Sequence, residues 1–468
     1  MLSRLEKFLF YSFLFFIPFQ IRATISWQGS EWDSIFLYLT DLLLIGFLFF
    51  GLINKRISFK KTGILFLPRR TSLGLVFLFL GLAGISLFVS TDLGNSIFRL
   101  IKLLEFVLLY IYVSKNAHIF KNLYNVLIVS AVFQSILAIA QFFKQSSLGL
   151  KFIEAGQYLP GAPGVATFIM GDDKIMRAYG GFPHPNVLAV FLLFGIFCFY
   201  YLWISNVIKG KFRYMLYVMC YMLCVFALFL TFSRGPILIF LIISFLFLIV
   251  RFFQLRKLYH TEERLLAGKK LMILAVIFVF SCLISIVVLS PYLKSRFFTI
   301  SLQEEAIDLR FFYNKMAVSM IKDKPLLGIG IGNFVNFSHN YPAFLRAAAK
   351  LAASGGLTGG QVPEWIYQPT HNIYLLIASE IGILGALIFL IFLFKKFTYG
   401  VGQIFKNLNE INPLFFLFIG FLILALSDHL FWTLQSGGII FWLALALLEN
   451  PNYFKIQTIS KQPQNPNV

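Results

Sequence analysis

Long, uninterrupted apolar runs dominate the chain and set its predicted architecture. A helix that crosses a bilayer needs about 20 predominantly apolar residues. Runs that approach or reach this length lie at 7–21, 35–53, 72–89, 96–114, 120–143, 187–205, 213–231, 235–252, 270–290, 373–394, 413–427 and 431–449. The pattern predicts an all-α polytopic membrane protein with about twelve transmembrane helices.

The polar connections between these runs are unequal in length. Most are short, but two are long, at 144–186 and 291–372. Long ordered connections of this kind are commonly functional. We therefore expect a nine-helix membrane region over 1–290, a large loop over 291–372 and a three-helix membrane region over 373–449. A disordered cytoplasmic tail is expected over 450–468.

Composition and charge support this architecture and orient it. The chain is 59% hydrophobic and 13% charged, whereas soluble domains carry about 25% charged residues. A soluble globular enzyme is therefore excluded. The net charge of +20 would suggest nucleic acid in a soluble protein, but Lys and Arg concentrate in alternate connections, as the positive-inside rule describes. Both termini are expected in the cytoplasm and the 291–372 loop on the outer face of the cytoplasmic membrane, with no nucleic-acid partner.

Several ionisable residues lie within the apolar runs or beside them. Such residues are costly in hydrocarbon and are functional candidates by default. They are Asp41, Arg99, Lys102, Glu105 and Glu380, with Asp428 between the last two runs. Arg99, Lys102 and Glu105 share one helix face. Two interpretations stay open: a polar cavity that opens to the outer face, and a structural network of ion pairs between helices.

The 291–372 loop contains a predicted helix and a glycine-rich segment. Ser301 and Glu304 have the spacing of a capping box, which predicts a helix of about twenty residues that carries Arg310 and ends before Pro325. The segment 325–334 then places three alternating glycines, which permit tight turns and close backbone approach. A flexible turn at the membrane surface is the competing interpretation.

His371 is the leading candidate for chemistry. It lies where the loop ends and the next membrane helix begins. The free N–H groups of a helix N-terminus carry positive partial charge. That setting favours a neutral imidazole, which can act as a base, and it also suits phosphate binding. A helix-capping histidine without chemistry is the alternative.

Two further outer segments carry candidate residues. Arg234 lies in the tight turn Phe232–Pro236, where it is either functional or an interfacial arginine that reaches lipid headgroups. Arg177 begins a segment that leads to Asn186, the predicted N-cap of the sixth helix. His184, between two prolines, is predicted to be an ordinary loop residue.

Taken together, these segments resemble a known family. They are the Ser233-Arg234-Gly235 turn, Arg310, the glycine-rich segment Pro325–Phe334 and the series from His371 through Glu380 to Gly385. Their order and spacing resemble the O-antigen ligase and polymerase family of bacterial membrane glycosyltransferases.

The resemblance implies a transmembrane, GT-C-like glycosyltransferase architecture. It implies a polyprenyl-diphosphate-linked glycan as donor and transfer to an acceptor hydroxyl on a lipid or glycan, by a metal-independent, inverting reaction. By position, Arg234 and Arg310 would bind the diphosphate and His371 would activate the acceptor. The Ala/Gly-rich stretch 347–362 and the segment 181–186 depart from a typical ligase, which leaves the acceptor open.

Two other functions remain as alternatives. Polymerisation of O-antigen or exopolysaccharide repeat units shares the same motifs. A transporter or flippase for an anionic lipid-linked substrate could use Arg99 and Lys102. We expect no cofactor, metal or ATP, because the sequence has no metal-ligand spacing and no phosphate-binding glycine-lysine loop.

Overall fold

A computed structural model describes most of the chain. The described residues are 1–28, 30–56, 72–162, 164–205, 208, 210–257, 261–298, 305–352, 367–406 and 412–449. The expected tail over 450–468, most of the Ala/Gly-rich stretch and the capping residues Ser301 and Glu304 lie outside this set.

The described chain is mostly helical. Its α-helices are α1 Leu2–Phe16, α2 Leu39–Ile53, α3 Leu73–Ile85, α4 Leu93–Asn116, α5 Leu123–Lys144, α6 Pro185–Ile204, α7 Lys211–Leu230, α8 Arg234–Arg256, α9 Thr261–Val288, α10 Ser290–Phe298, α11 Glu305–Asp323, α12 Phe334–Ser338, α13 Pro342–Ala352, α14 Ile373–Lys406, α15 Pro413–Leu424, α16 Leu430–Thr433 and α17 Gln435–Leu448. Short 3₁₀ helices follow α3, at Ser86–Val89, and α4, at Ala117–Ile119.

Each predicted apolar run overlaps one of these helices. By length and composition, six helices of the described chain can cross a membrane: Leu123–Lys144, Pro185–Ile204, Lys211–Leu230, Arg234–Arg256, Arg264–Val288 and Ile373–Phe405. Four shorter apolar helices, among them Leu39–Ile53 and Gln435–Leu448, accompany them. The chain is therefore a multi-pass helical membrane protein, while the number of twelve spans stays a prediction.

Two small antiparallel hairpins correct the all-α prediction. Strand β1, Arg22–Ser26, pairs with β2, Ile35–Tyr38, and β3, Thr167–Met170, pairs with β4, Asp173–Met176. The predicted second span was therefore wrong at its start, because residues 35–38 form a strand. An apolar run of four residues is compatible with a helix or a strand, and pairing with the preceding strand β1 decided between them.

The core lies around α6 and α17, which are buried along nearly their whole lengths. Helices α5, α7 and α15 pack around α6, and α4 packs on α17. A continuous apolar helix surface of this kind belongs inside a bundle rather than at its lipid-facing edge. Side-chain caps fix the starts of two helices: the Asp92 carboxylate accepts from Asn95 N (3.0 Å) at α4, and Asn412 caps α15.

Helix α14 is broken at Gly382, and the glycine-rich segment fills the break. Gly382 has φ 84° and ψ 171°, outside the helical region. Residues around such a break lose helical hydrogen bonds, and within a membrane protein another backbone must replace them. Here the replacement consists of Ile329 N to Ser379 O (2.9 Å), Gly330 N to Glu380 O (3.0 Å) and Ile383 N to Pro325 O (2.9 Å).

The close fit between the glycine-rich segment and α14 explains why two positions are glycine. A Cβ at Gly382 would lie 2.0 Å from the carbonyl oxygen of Leu326. A Cβ at Gly328, where φ is 67°, would lie 2.5 Å from the carbonyl oxygen of Ser379. Both clashes are with backbone, which cannot move aside without opening the junction. The flexible-turn interpretation of this segment was therefore wrong: the segment is docked.

Asn333 fixes the other end of the docked segment to the start of α4. Its Oδ1 accepts from Thr91 Oγ1 (3.0 Å) and Asp92 N (2.9 Å), and its Nδ2 donates to Ser90 Oγ (2.8 Å). The side chain is fully buried, and a buried amide with its hydrogen bonds satisfied specifies one position for the backbone that carries it.

We predict that Gly382→Ala lowers stability by about 2–5 kcal/mol, because it combines a positive φ with a backbone clash. Gly402→Ala is the matched control, since Gly402 lies in the same helix with no neighbouring atom within 4 Å of its Cβ position. There alanine should be neutral or stabilise by up to about 1 kcal/mol. Thermal unfolding of the detergent-purified variants measures both, and equal midpoints would show that the segment is not held in the break.

Candidate functional site

His371 is fixed between three helices. Asn372 caps α14 by accepting from Leu375 N (3.1 Å), so His371 lies one residue before the cap. Ile373 N donates to Ala425 O (2.9 Å) at the end of α15. On the other side, Thr370 Oγ1 donates to Asn314 Oδ1 (2.6 Å) on α11.

Aromatic rings enclose the His371 imidazole. Tyr313 on α11 lies nearly parallel to it, with 5.9 Å between ring centroids and 20° between planes. His429 meets it edge to face, at 4.7 Å and 74°. Trp32 in turn contacts His429 at 5.2 Å and 84°. The two histidines therefore form a pair, and the sequence analysis did not identify His429.

The electrostatic setting keeps His371 neutral. Burial lowers its pKa well below the ordinary value, and the neighbouring His429 and Arg310 lower it further, while Asp428 acts in the opposite direction. None of the described residues offers its buried Nδ1 a hydrogen-bond partner. An unpaired buried nitrogen is costly, so this atom calls for a functional explanation.

Asp428 joins the histidine pair to the segment before α6. Asn186 Nδ2 donates to its Oδ2 (2.9 Å). Burial opposes ionisation of Asp428, but His429, His371 and the Asn186 hydrogen bond lower its pKa to about 2. The carboxylate therefore stays negative beside both imidazoles.

The predicted cap at Asn186 was wrong, and so was the plain-loop interpretation of His184. His184 is the N-cap of α6, where its Nδ1 accepts from Asn186 N (3.1 Å). Asn186 is in the first turn, and its Oδ1 accepts from Arg177 (2.9 Å) and from Ser233 Oγ (3.0 Å). Proline at the first helical position moved the cap two residues upstream of the prediction.

Arg177 acts as an anchor. Its guanidinium donates to Thr231 O (2.7 Å), Ser233 Oγ (2.8 Å) and Asn186. Burial lowers its pKa to about 9, and repulsion from other arginines, above all Arg296, adds to the effect. These bonds hold the turn before α8 against the start of α6.

Other arginines surround this anchor. Arg234, the first residue of α8, donates from Nε (3.1 Å) and from its terminal nitrogen (2.6 Å) to Arg296 O on α10. Arg310 on α11 acts electrostatically on Arg177, His371, His429 and Asp428. The structure therefore brings Arg234 and Arg310 into one electropositive region. We call Arg177, Arg234, Arg296 and Arg310 the arginine group.

The ionisable residues within the apolar runs form a second region. Lys102 pairs with Asp41 and lies 3.2 Å from Glu105. Arg99 donates to Thr433 O (2.9 Å) and Trp32 O (2.6 Å). Glu380 accepts from Trp432 Nε1 (2.9 Å). An ion-pair network therefore exists, and one of its members, Lys102, lines a cavity together with Arg99 and Glu380. That this cavity opens to the outer face stays a prediction.

This cavity lies beside the histidine pair. Its empty volume is about 910 Å³, and Trp32, Arg99, Lys102, Glu380, Trp432 and Thr433 are among the lining residues. Thr433 Oγ1 lies 2.6 Å from His429 Nδ1, so one residue contacts the cavity and the pair. We call it the Arg99 cavity.

The sequence offered little signal for His429, Trp432 and Tyr313. His429 follows Asp428 directly, but a histidine between two apolar runs is unremarkable until α14 and α15 are packed together. Among the described residues, no group of three or more His, Cys, Asp and Glu side chains is placed to hold a metal ion. Metal independence therefore rests on the sequence and stays a prediction.

Comparison with known proteins agrees with the resemblance inferred from the sequence. Residues 219–390 match the family model described as O-antigen ligase. This segment, which includes Arg234, Arg310, the docked glycine-rich segment and His371, is similar to the O-antigen ligase family. No curated protein matches the chain significantly.

We predict that His371 titrates below pH 6.5, and that two neighbours shift its pKa in opposite directions. Asp428→Asn should lower the pKa further, because it removes the charge that favours imidazolium. His429→Gln should raise it, because it removes a competing imidazole. Histidine-labelled NMR titrations, with His371→Gln to assign the resonance, measure these shifts. A His371 pKa at or above the ordinary value contradicts the neutral site.

Proposed function

We propose that this O-antigen ligase-related membrane protein transfers a glycan from a polyprenyl diphosphate to an acceptor hydroxyl, with His371 as the general base. One observation carries the proposal: a neutral histidine with an unpaired buried nitrogen lies beside a group of arginines. A base and an anion site are the two elements that this reaction requires.

The reaction balances without a further reactant. The acceptor oxygen forms a bond to the anomeric carbon of the donor glycan, and its proton passes to His371. The bond from that carbon to the phosphate oxygen breaks, and the polyprenyl diphosphate leaves with the electron pair. Attack opposite the leaving group inverts the anomeric configuration. The cleaved bond is already activated, so neither ATP nor another cofactor is needed.

The arginine group would bind the leaving diphosphate. Arginine presents a permanent charge and a planar fork that matches phosphate oxygens. Arg234 and Arg310 are proposed to contact the diphosphate directly, while Arg177, saturated by protein partners, positions the turn that carries Arg234. Charge stabilisation in such a preorganised site is a main source of catalysis.

Asp428 and His429 would support the base. When His371 takes the proton, the Asp428 carboxylate stabilises the imidazolium, since its charge favours that form. His429 packs against the ring and restricts its orientation.

By the positive-inside distribution, we place this site on the outer face of the cytoplasmic membrane, with both termini inside.

Repeat-unit polymerisation remains an alternative form of the same chemistry, in which the acceptor is a second lipid-linked glycan. Transport of an anionic substrate through the Arg99 cavity is less well supported. Lys102 is paired with two carboxylates, and the Arg99 guanidinium is bound to two carbonyl oxygens. The carboxylates compensate the charge of Lys102, and the Arg99 donors that these carbonyls engage are not free to bind an anion.

We predict that His371→Ala reduces transfer by about 10²–10⁴-fold, the usual contribution of a general base. Donor binding should stay within about twofold of wild type, because the arginines are untouched. His118→Ala is the control, since His118 is exposed on a short 3₁₀ helix remote in sequence from the site. Reconstituted membranes with extracted donor and acceptor provide the assay.

The products of the assay also distinguish ligation from polymerisation. Glycan appearing on a lipid or other non-donor acceptor indicates ligation, and lengthened lipid-linked chains indicate polymerisation. Transfer by His371→Ala within a few-fold of wild type would exclude His371 as the base.

A further inference from the structure

The Arg99 cavity differs chemically from the arginine group. In the arginine group, Arg234, Arg296 and Arg310 act electrostatically on Arg177, and Arg310 also acts on the Asp428 carboxylate. In the cavity, by contrast, Lys102 is paired with Asp41 and Glu105, and Arg22 is paired with Glu31. Its positive and negative charges largely compensate one another, so it does not select an anion.

The cavity wall has both aromatic rings and hydrogen-bonding groups. Trp32, Tyr38, Phe98 and Trp432 provide flat apolar faces. The charged and amide side chains of the wall include Arg99, Glu380 and Gln435. A pyranose ring has the complementary surface, with apolar C–H faces and a rim of hydroxyl groups that both donate and accept.

The position of the cavity also suits an acceptor sugar. Trp32 lines the cavity and contacts His429, which contacts His371. Thr433 lines it too and lies 2.6 Å from His429 Nδ1 through its Oγ1. A ligand in the cavity would therefore lie close to the histidine pair.

We propose that the Arg99 cavity binds a neutral sugar of the acceptor, with Trp32 as a stacking platform beside the histidine pair. The assignment to the acceptor rests on the proposed function. In an inverting displacement the attacking hydroxyl and the leaving group occupy opposite sides of the anomeric carbon. If the arginine group binds the diphosphate, the acceptor needs a separate site close to His371, and the cavity shares no lining residue with the arginine group.

Trp32 allows a controlled test. It lies in the connection between β1 and β2, and the contacts of Arg99 to this residue go to its backbone oxygen, which every variant retains. Trp27 belongs to the same hairpin connection, is 59% exposed and does not line the cavity. Trp32→Ala and Trp27→Ala are therefore a matched pair of variants. Trp32→Phe, which keeps an aromatic ring, should retain part of the sugar binding that Trp32→Ala loses.

Two soluble probes test whether the cavity binds sugar and the arginine group binds diphosphate. Their equilibrium binding is measured on the full chain in lipid nanodiscs. Maltotriose represents a neutral glycan, and inorganic pyrophosphate represents the leaving group. We expect Trp32→Ala to weaken maltotriose binding about tenfold, the scale of one lost aromatic contact, and to leave pyrophosphate binding unchanged. Arg310→Ala should weaken pyrophosphate binding and leave maltotriose binding unchanged. Trp27→Ala should change neither.

Failure of this proposal is distinct from failure of the proposed function. Equal maltotriose binding by the two tryptophan variants, or no saturable binding to wild type, overturns the sugar site. Unchanged pyrophosphate binding in Arg310→Ala instead argues against the diphosphate site and leaves the sugar result standing.

Kinetics then assign the sugar to one substrate. In the transfer assay, Trp32→Ala should raise KM for the acceptor about tenfold and leave KM for the donor within twofold. A rise in the donor KM alone overturns the acceptor assignment, because it places a donor sugar in the cavity.

Discussion

The break in α14 is the constraint on which the rest of this structure depends. A helix interrupted at Gly382 leaves backbone groups without helical partners, and only another backbone at very close range can satisfy them. The glycine-rich segment supplies that backbone, and it needs glycine at Gly328 because a side chain would meet the carbonyl of Ser379. Broken membrane helices that enclose polar sites follow the same physical rule.

The docked segment also explains why the functional residues converge. It follows α11 directly, so docking holds α11 beside the start of α14, where Tyr313 contacts His371. Its far end, at Asn333, is bonded to the start of α4, the helix that carries Arg99. One backbone junction therefore positions the base, one candidate diphosphate arginine and one wall of the cavity.

Sequence reasoning succeeded where the physical cause is local. Apolar runs predicted the helices. It failed where the cause is a contact with another segment. Residues 35–38 became a strand through pairing with β1, and His429 lies beside His371 where α14 and α15 meet, at the hydrogen bond from Ile373 to Ala425. Sequence reasoning expected a neutral His371 from its place before a helix, whereas the structure adds burial, His429 and Arg310 as causes of a lowered pKa. The separate roles of Arg99 and Lys102, which share a helix face, likewise depend on partners far along the chain.

A structure of the full chain in lipid nanodiscs, determined with a non-cleavable polyprenyl diphosphate bound, tests the central claim most directly. The account predicts the diphosphate within hydrogen-bonding distance of both Arg234 and Arg310, on the His371 side of the molecule, with the glycine-rich segment docked in α14. A diphosphate bound at Arg99 and Lys102 inside the cavity, or one that contacts neither Arg234 nor Arg310, would contradict it.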